Sequence, residues 1–188
     1  MVTNERRETR DERRGAGMGS RLTTIVVALF LVSRLSSLVS PLAAQSGEPP
    51  SVGQVAPVVT VPDMDGKAVR VGTTAAKHPI VIEFWATWCP LCKALLPTMR
   101  AAQKQYGDRV DFYGVNVTVN DGKERVRRYV NETKPPWITL YDDRGVAVRA
   151  FGAAATSYVV IIDGNGKIAY TGDGGSQNIG AELARLLK

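Results

Sequence analysis

Cys89 and Cys92 are the only cysteines of the 188-residue chain, and they stand together as Cys89-Pro90-Leu91-Cys92. Two thiols at that spacing can do redox chemistry if the first one opens a helix. A helix N-terminus offers unpaired backbone N–H groups and the positive end of a dipole, so it favours an anion. A free thiol has a pKa of about 8.5, and such a site lowers it by one to several units. A Cys89 thiolate would attack a disulfide. Cys92, one turn later, would attack the resulting mixed disulfide and release the product. Pro90 suits a first helical turn, where its missing N–H has no partner to lose. Rival uses of the pair are weaker. A zinc site needs four ligands, and His78 is the only other soft candidate. A static disulfide across so short a loop stabilises little.

The elements that must position the pair can be read from the residues around it. Ile80–Trp85 (IVIEFW) is a continuous apolar run with one acid, as expected of a strand covered on both faces. Residues 89–106 place Leu91, Leu95, Leu96, Met99, Ala102 and Tyr106 at helical spacing. The dithiol therefore falls where a strand gives way to a helix. Residues 55–61 and Ala68–Val71 predict a leading hairpin across a turn at residues 63–66. Residues 110–117 and 137–141 predict strands, and residues 122–131 a helix. Tyr158–Ile162, the turn Asp163-Gly164-Asn165-Gly166, and residues 168–171 form the strongest hairpin signal. Residues 179–187 predict a closing amphipathic helix. The order ββ-βαβα-β-ββα makes an α/β fold, a mixed sheet with helices on both sides.

Glu83 stands out because a carboxylate inside an apolar strand is costly to bury and should have a raised pKa. Trp88 is placed to pack beside the dithiol and shape a docking surface. Lys93 reads as a solvated helix residue, and the lone His78, before Pro79, as a surface or structural one.

The block Phe84-Trp85-Ala86-Thr87-Trp88-Cys89-Pro90-Leu91-Cys92-Lys93, with Pro97 further along the helix, resembles the active-site block of the thioredoxin superfamily. It is most similar to the extracytoplasmic TlpA/ResA-like thiol-disulfide oxidoreductases, over residues 52–188. The resemblance implies a thioredoxin-like fold: a central mixed β-sheet flanked by helices, with an N-terminal β-hairpin extension. It implies Cys89 as nucleophile, Cys92 as resolving thiol, Glu83 as proton acceptor and donor for Cys92, and Pro97 as a helix kink. The family carries a cis-proline in the loop before the strand ending in Ile162-Asp163. Here Ser157, or Thr156 one residue earlier, stands in that place. A cis bond before a non-proline residue costs about 2.5–4 kcal/mol, so this loop is expected to be trans or strained.

The resemblance also implies a reductase of envelope thiols, with protein clients such as apocytochrome c and a membrane thiol-electron transporter as electron source. No nucleotide-binding motif is visible, and neither a cofactor nor a metal is expected. Two alternatives stay open. A peroxiredoxin-like peroxidase would place a threonine three residues before its reactive cysteine, where this chain has Ala86. A Cu(I) metallochaperone could use the two sulfurs as soft ligands.

The N-terminal stretch bears on location. Residues 1–21 are polar and charged, residues 22–32 are an apolar run, and Ala43-Ala44 supplies a small-residue end. That is the layout of a secretory signal, with Met18 an alternative start; an uncleaved anchor over residues 22–44 is the other reading. Residues 1–44 are thus expected to be targeting or anchor, 45–53 a linker, and 54–188 the folded domain, lying in the periplasm or cell envelope. The formal charge of +6 falls to 17 basic against 14 acidic residues from Gln45 onward. That balance reads as a solvated surface, without a nucleic-acid stripe. Membrane contact is expected only through the N-terminal segment, and the domain is expected to be a monomer.

Overall fold

The computed structural model describes residues 49–72 and 78–188. The expected leader of residues 1–44 lies outside them. β1 (Val59–Pro62) and β2 (Ala68–Val71) form a two-stranded antiparallel sheet. The main sheet holds β3 (Ile80–Trp85), β4 (Asp111–Asn116), β5 (Ile138–Tyr141), β6 (Tyr158–Ile162) and β7 (Ile168–Gly172) in the order β5-β4-β3-β6-β7. β3–β4 and β4–β5 are parallel, which requires crossovers, and helices α1 (Pro90–Tyr106) and α2 (Lys123–Thr133) supply them. β6 and β7 pair antiparallel on the other side of β3. A short α3 (Val146–Ala150) precedes β6, and α4 (Ile179–Leu186) closes the chain. This is the expected mixed α/β sheet with flanking helices and a leading hairpin.

Strand alternation sorts β3 between two cores. Ile80, Ile82 and Phe84 face the hairpin side, packing with Val61, Val71, Leu140, Phe151 and Val160. Val81 packs on the opposite side with Leu95, Met99 and Ala102 of α1 and Ile179 and Leu183 of α4. Trp85, on that same face, packs with Cys89, Cys92 and Val126.

Two element readings change. The first strand starts at Val59, not at residue 55, because Pro57 has no N–H to give a ladder. The segment before it pairs instead with the β6–β7 turn, through Gly53 N–H to Ile168 O (2.8 Å) and Ala56 N–H to Gly166 O (2.9 Å). Helix α3 has no counterpart in the sequence reading, since five residues are too few for an apolar period. Its first turn is held by the Asp142 carboxylate, which accepts from the N–H groups of Val146 (2.7 Å) and Val148 (2.9 Å). The active-site helix opens at the dithiol as expected, starting at Pro90 with Cys89 as its cap and holding Pro97 inside it. Among the described residues no helix is long and apolar enough to cross a membrane.

Candidate active site

Cys89 and Cys92 are disulfide-bonded at the junction of β3 and α1. Cys89 is the N-cap residue, extended at φ −76° and ψ 113°, and its Sγ accepts the N–H of Cys92 at 3.0 Å. Pro90 occupies the first turn and brings no donor. Both cysteines are buried. Around them the surface is apolar and open: Trp88 is 43% exposed, Leu91 50% and Val119 58%. Trp88 lies out on this rim and donates its Nε1–H to Val119 O at 2.8 Å. Lys93 and His78 are exposed.

A network absent from the sequence reading fixes the approach to Cys89. Asp121, in the loop after β4, is buried. Its Oδ2 accepts the Thr87 N–H (2.7 Å) and Asn116 Nδ2 (2.8 Å), and its Oδ1 accepts the Thr87 hydroxyl (2.7 Å). No spacing in the chain could have paired residues so distant.

The loop before β6 contains no cis peptide bond; among the described residues there is none. Ser157 instead adopts the left-handed conformation at φ 65°. It is fully buried, and every hydrogen-bonding group it has is engaged. Its N–H donates to Phe84 O (2.7 Å), its hydroxyl to Gly174 O (3.0 Å), and its carbonyl accepts Gln177 Nε2 (2.9 Å). Ser157 therefore offers no backbone group to a client. The backbone groups of Ala155 and Thr156, just before it, have no backbone partner among the described residues, and Ala155 is exposed. Gln177 and Gly174 belong to the loop that closes on α1. There a Cβ on Gly175 would come within 2.8 Å of Ala94 Cβ.

Glu83 lies on the α1-facing side of β3, two residues below Trp85. The buried stripe Cys92, Leu95, Met99 of α1 runs back along this face, from the Trp85 end of the strand to Val81. Glu83 falls between those ends. It is fully buried, and neither carboxylate oxygen has a hydrogen-bond partner among the described residues. Burial pushes its pKa up from 4.5 to about 8. At neutral pH it is mainly a neutral acid.

Among the described residues no cluster of three or more metal-ligating side chains occurs. A dithiol at a helix N-terminus, flanked by an apolar rim and backed by a protonated buried acid, can exchange disulfides and move the accompanying proton.

The redoxin family model matches residues 51–186. The thiol:disulfide interchange protein DsbE of Yersinia pestis is 25% identical over 163 residues, covering 80% of this chain and 82% of that protein. The thioredoxin-like protein YneN of Bacillus subtilis is 30% identical over 95 residues, half of this chain and 55% of that one. Among solved structures, the thioredoxin domain of a thiol-disulfide oxidoreductase of Bacteroides vulgatus superposes with a TM-score of 0.64 at 20% identity. It covers 73% of this chain and 99% of that one.

Proposed function

This chain belongs to the redoxin family as a TlpA/ResA/DsbE-like thiol-disulfide oxidoreductase of the thioredoxin superfamily, and on that premise we propose that it reduces disulfides of protein clients outside the cytoplasm. Cys89 thiolate attacks one client sulfur; that S–S bond breaks and a client thiolate leaves. Cys92 then attacks Cys89 Sγ, forming the Cys89–Cys92 disulfide and expelling the second client thiolate. Two electrons pass to the client. The proton lost by Cys92 goes to Glu83 in its ionised fraction, on the order of a tenth at pH 7 for a group pushed up to about 8. In the recharging half-reaction an incoming thiolate opens the Cys89–Cys92 bond, and Glu83 returns its proton to the departing Cys92. The recharging electrons come from a membrane thiol carrier, consistent with a leader over residues 1–44.

The observation that carries the choice of client is the exposed apolar rim of Trp88, Leu91 and Val119; the backbone of residues 155–156, with no backbone partner among the described residues, offers a client a place to pair. An extended polypeptide can pair with that backbone and bury that rim. Apocytochrome c is the client that the family resemblance suggests. The reducing direction is supported by the sparse stabilisation of Cys89: one N–H at its sulfur, and neither a charge nor a histidine between the cysteines. A peroxidase is disfavoured because the Thr87 hydroxyl is committed to Asp121 and Ala86 precedes it.

The test is the reduction potential of the purified protein together with insulin reduction. A potential near the roughly −270 mV of thioredoxin, with turnover, is expected; one near the roughly −120 mV of a strong oxidant would overturn the reductase reading. Cys92→Ser should trap client mixed disulfides that Cys89→Ser does not form.

A further inference from the structure

The carboxylate of Glu83 is not the only polar group on its sheet face without a partner. The Nε1 of Trp137, the Oγ1 of Thr139 and the Nε1 of Trp85 are also buried and have no hydrogen-bond partner among the described residues. The strand register brings three of these four groups together. Glu83 of β3 pairs directly with Gly114 of β4, and Gly114 pairs directly with Thr139 of β5. Neighbours in such a row point to the same face, roughly 5 Å apart at Cβ. Gly114, in the middle, has no side chain. The indole nitrogen of Trp137 lies where its Cβ would stand. Any other residue at 114 would expel the indole. The row therefore reads carboxyl, indole N–H, hydroxyl.

The other side of Trp137 reaches solvent. Its ring lines a surface cleft of about 350 Å³ at the edge of the sheet, together with Pro135, Pro136, Phe112 and Gln103. The same ring meets Trp85 at a tilt, centroids 5.9 Å apart and planes at 54°, and Trp85 packs against the cysteines. One side chain thus spans from the cleft to the space beside Glu83.

We propose that Trp137 and Thr139 are positioning residues for Glu83, holding one buried water against its carboxyl group by the indole N–H and the threonine hydroxyl. A buried water needs two to four polar partners; this row supplies three. The water gives the carboxylate form hydrogen bonds in a site where none of the described residues supplies one, and it lies on the side of Glu83 that leads to the cleft. That gives the acid a route for proton exchange other than the dithiol mouth.

Few titratable groups lie around Glu83 among the described residues. α1 presents the two cysteines. α2 presents Tyr129, whose hydroxyl is pushed up first by burial and also by the nearby Glu83 charge, with Arg100 of α1 acting the other way. β4 presents Gly114, β5 Thr139 and β6 Val159, none of which titrates. Among the described residues no cation pairs with the carboxyl group, so hydrogen-bond donors are what can stabilise its charge.

The inference rests on the reading of Glu83 as the proton partner of Cys92, and the experiment separates the two. Titrating the Glu83 side-chain carboxyl by ¹³C NMR in the disulfide form of the full-length protein, where neither cysteine titrates, reads its protonation whether or not it takes part in exchange. In the unmodified protein the midpoint should lie well above the 4.5 of a free carboxyl, as burial requires. Trp137→Phe and Thr139→Val should each raise it by roughly one pH unit, the scale of one hydrogen bond to a charged group. Thr139→Ser should leave it in place. In the unmodified protein the Trp137 indole proton should show a nuclear Overhauser contact to a long-lived water, a measurement that needs no variant to fold. Midpoints unmoved by both substitutions, or an indole proton with no water contact, overturn the proposal. Wild-type exchange rates in Glu83→Gln would instead overturn the catalytic reading of Glu83 and leave the water site standing.

Discussion

Asp121 grips Thr87 twice, taking its backbone N–H on one carboxylate oxygen and its hydroxyl on the other, both at 2.7 Å. Thr87 lies two residues before Cys89, so the loop after β4 sets the path by which the chain enters the active-site helix. That loop is itself strained, with Thr118 at φ 61° and Asn120 at φ 51°. Each such residue costs on the order of 1 kcal/mol and persists only where its surroundings hold it. Asp121, fed by three donors, is what holds it. Asp121→Asn replaces one acceptor oxygen by a donor that faces another donor. Loss of about 2–4 kcal/mol in urea unfolding is expected, with slower insulin reduction at temperatures where the variant stays folded. A change below about 0.5 kcal/mol would show that the clamp is dispensable.

Trp88 separates recognition from chemistry. Its ring is on the rim and its Nε1–H is used on Val119, while the sulfur geometry is set by Cys89 and the helix. Trp88→Ala should therefore slow reduction of a protein disulfide several-fold and leave reduction of a small aromatic disulfide nearly unchanged. Equal slowing of both substrates would mean that the ring shapes the dithiol itself.

Much of this site was legible because its signals are local. The apolar run of β3, the Asp163–Gly166 turn and the Cys-Pro-Leu-Cys spacing each lie within one element, and each formed the element expected. Glu83 was conspicuous for the same reason, a carboxylate in an apolar strand. The parts that were not legible are long-range. Asp121 meets Thr87 34 positions away, and Gln177 meets Ser157 20 positions away. Trp137 matters because Gly114 on the neighbouring strand makes room for it. No periodicity encodes such pairs; only the strand order brings them together. The missing proline was visible in the sequence, but its replacement by a left-handed serine was not.

Ser157 combines an unfavourable backbone with a useful hydroxyl, and two substitutions take them apart. Ser157→Ala keeps the left-handed Cβ and loses the bond to Gly174 O, so it should destabilise by about 1–2 kcal/mol. Ser157→Gly loses the same bond but relieves the backbone, so it should be less destabilising than alanine by about 1 kcal/mol. Thermal or denaturant unfolding of the pair decides it. Alanine as stable as glycine would mean that the left-handed conformation carries no energetic weight here.

Glu83 should leave its mark on the pH dependence of stability. In the unfolded chain it ionises near 4.5, whereas in the fold it stays neutral up to about 8. Between those values the folded state binds more protons than the unfolded one, so stability falls as pH rises. Below pH 4.5 the penalty is absent, and above pH 8 it is fully developed and constant. The slope is at most about 1.4 kcal/mol per pH unit, giving an upper bound of roughly 5 kcal/mol across the window. Glu83→Gln removes the titrating group and keeps the shape. The variant and the parent should be close in stability at pH 4.5, and the variant should be progressively the more stable of the two through pH 8. The comparison is made by urea unfolding at half-unit steps, with the dithiol reduced in both so that cysteine redox state drops out. A difference between the two proteins that stays flat from pH 5 to pH 8 would mean that Glu83 is ionised in the fold at neutral pH, and it could not then be the acid that returns a proton to Cys92.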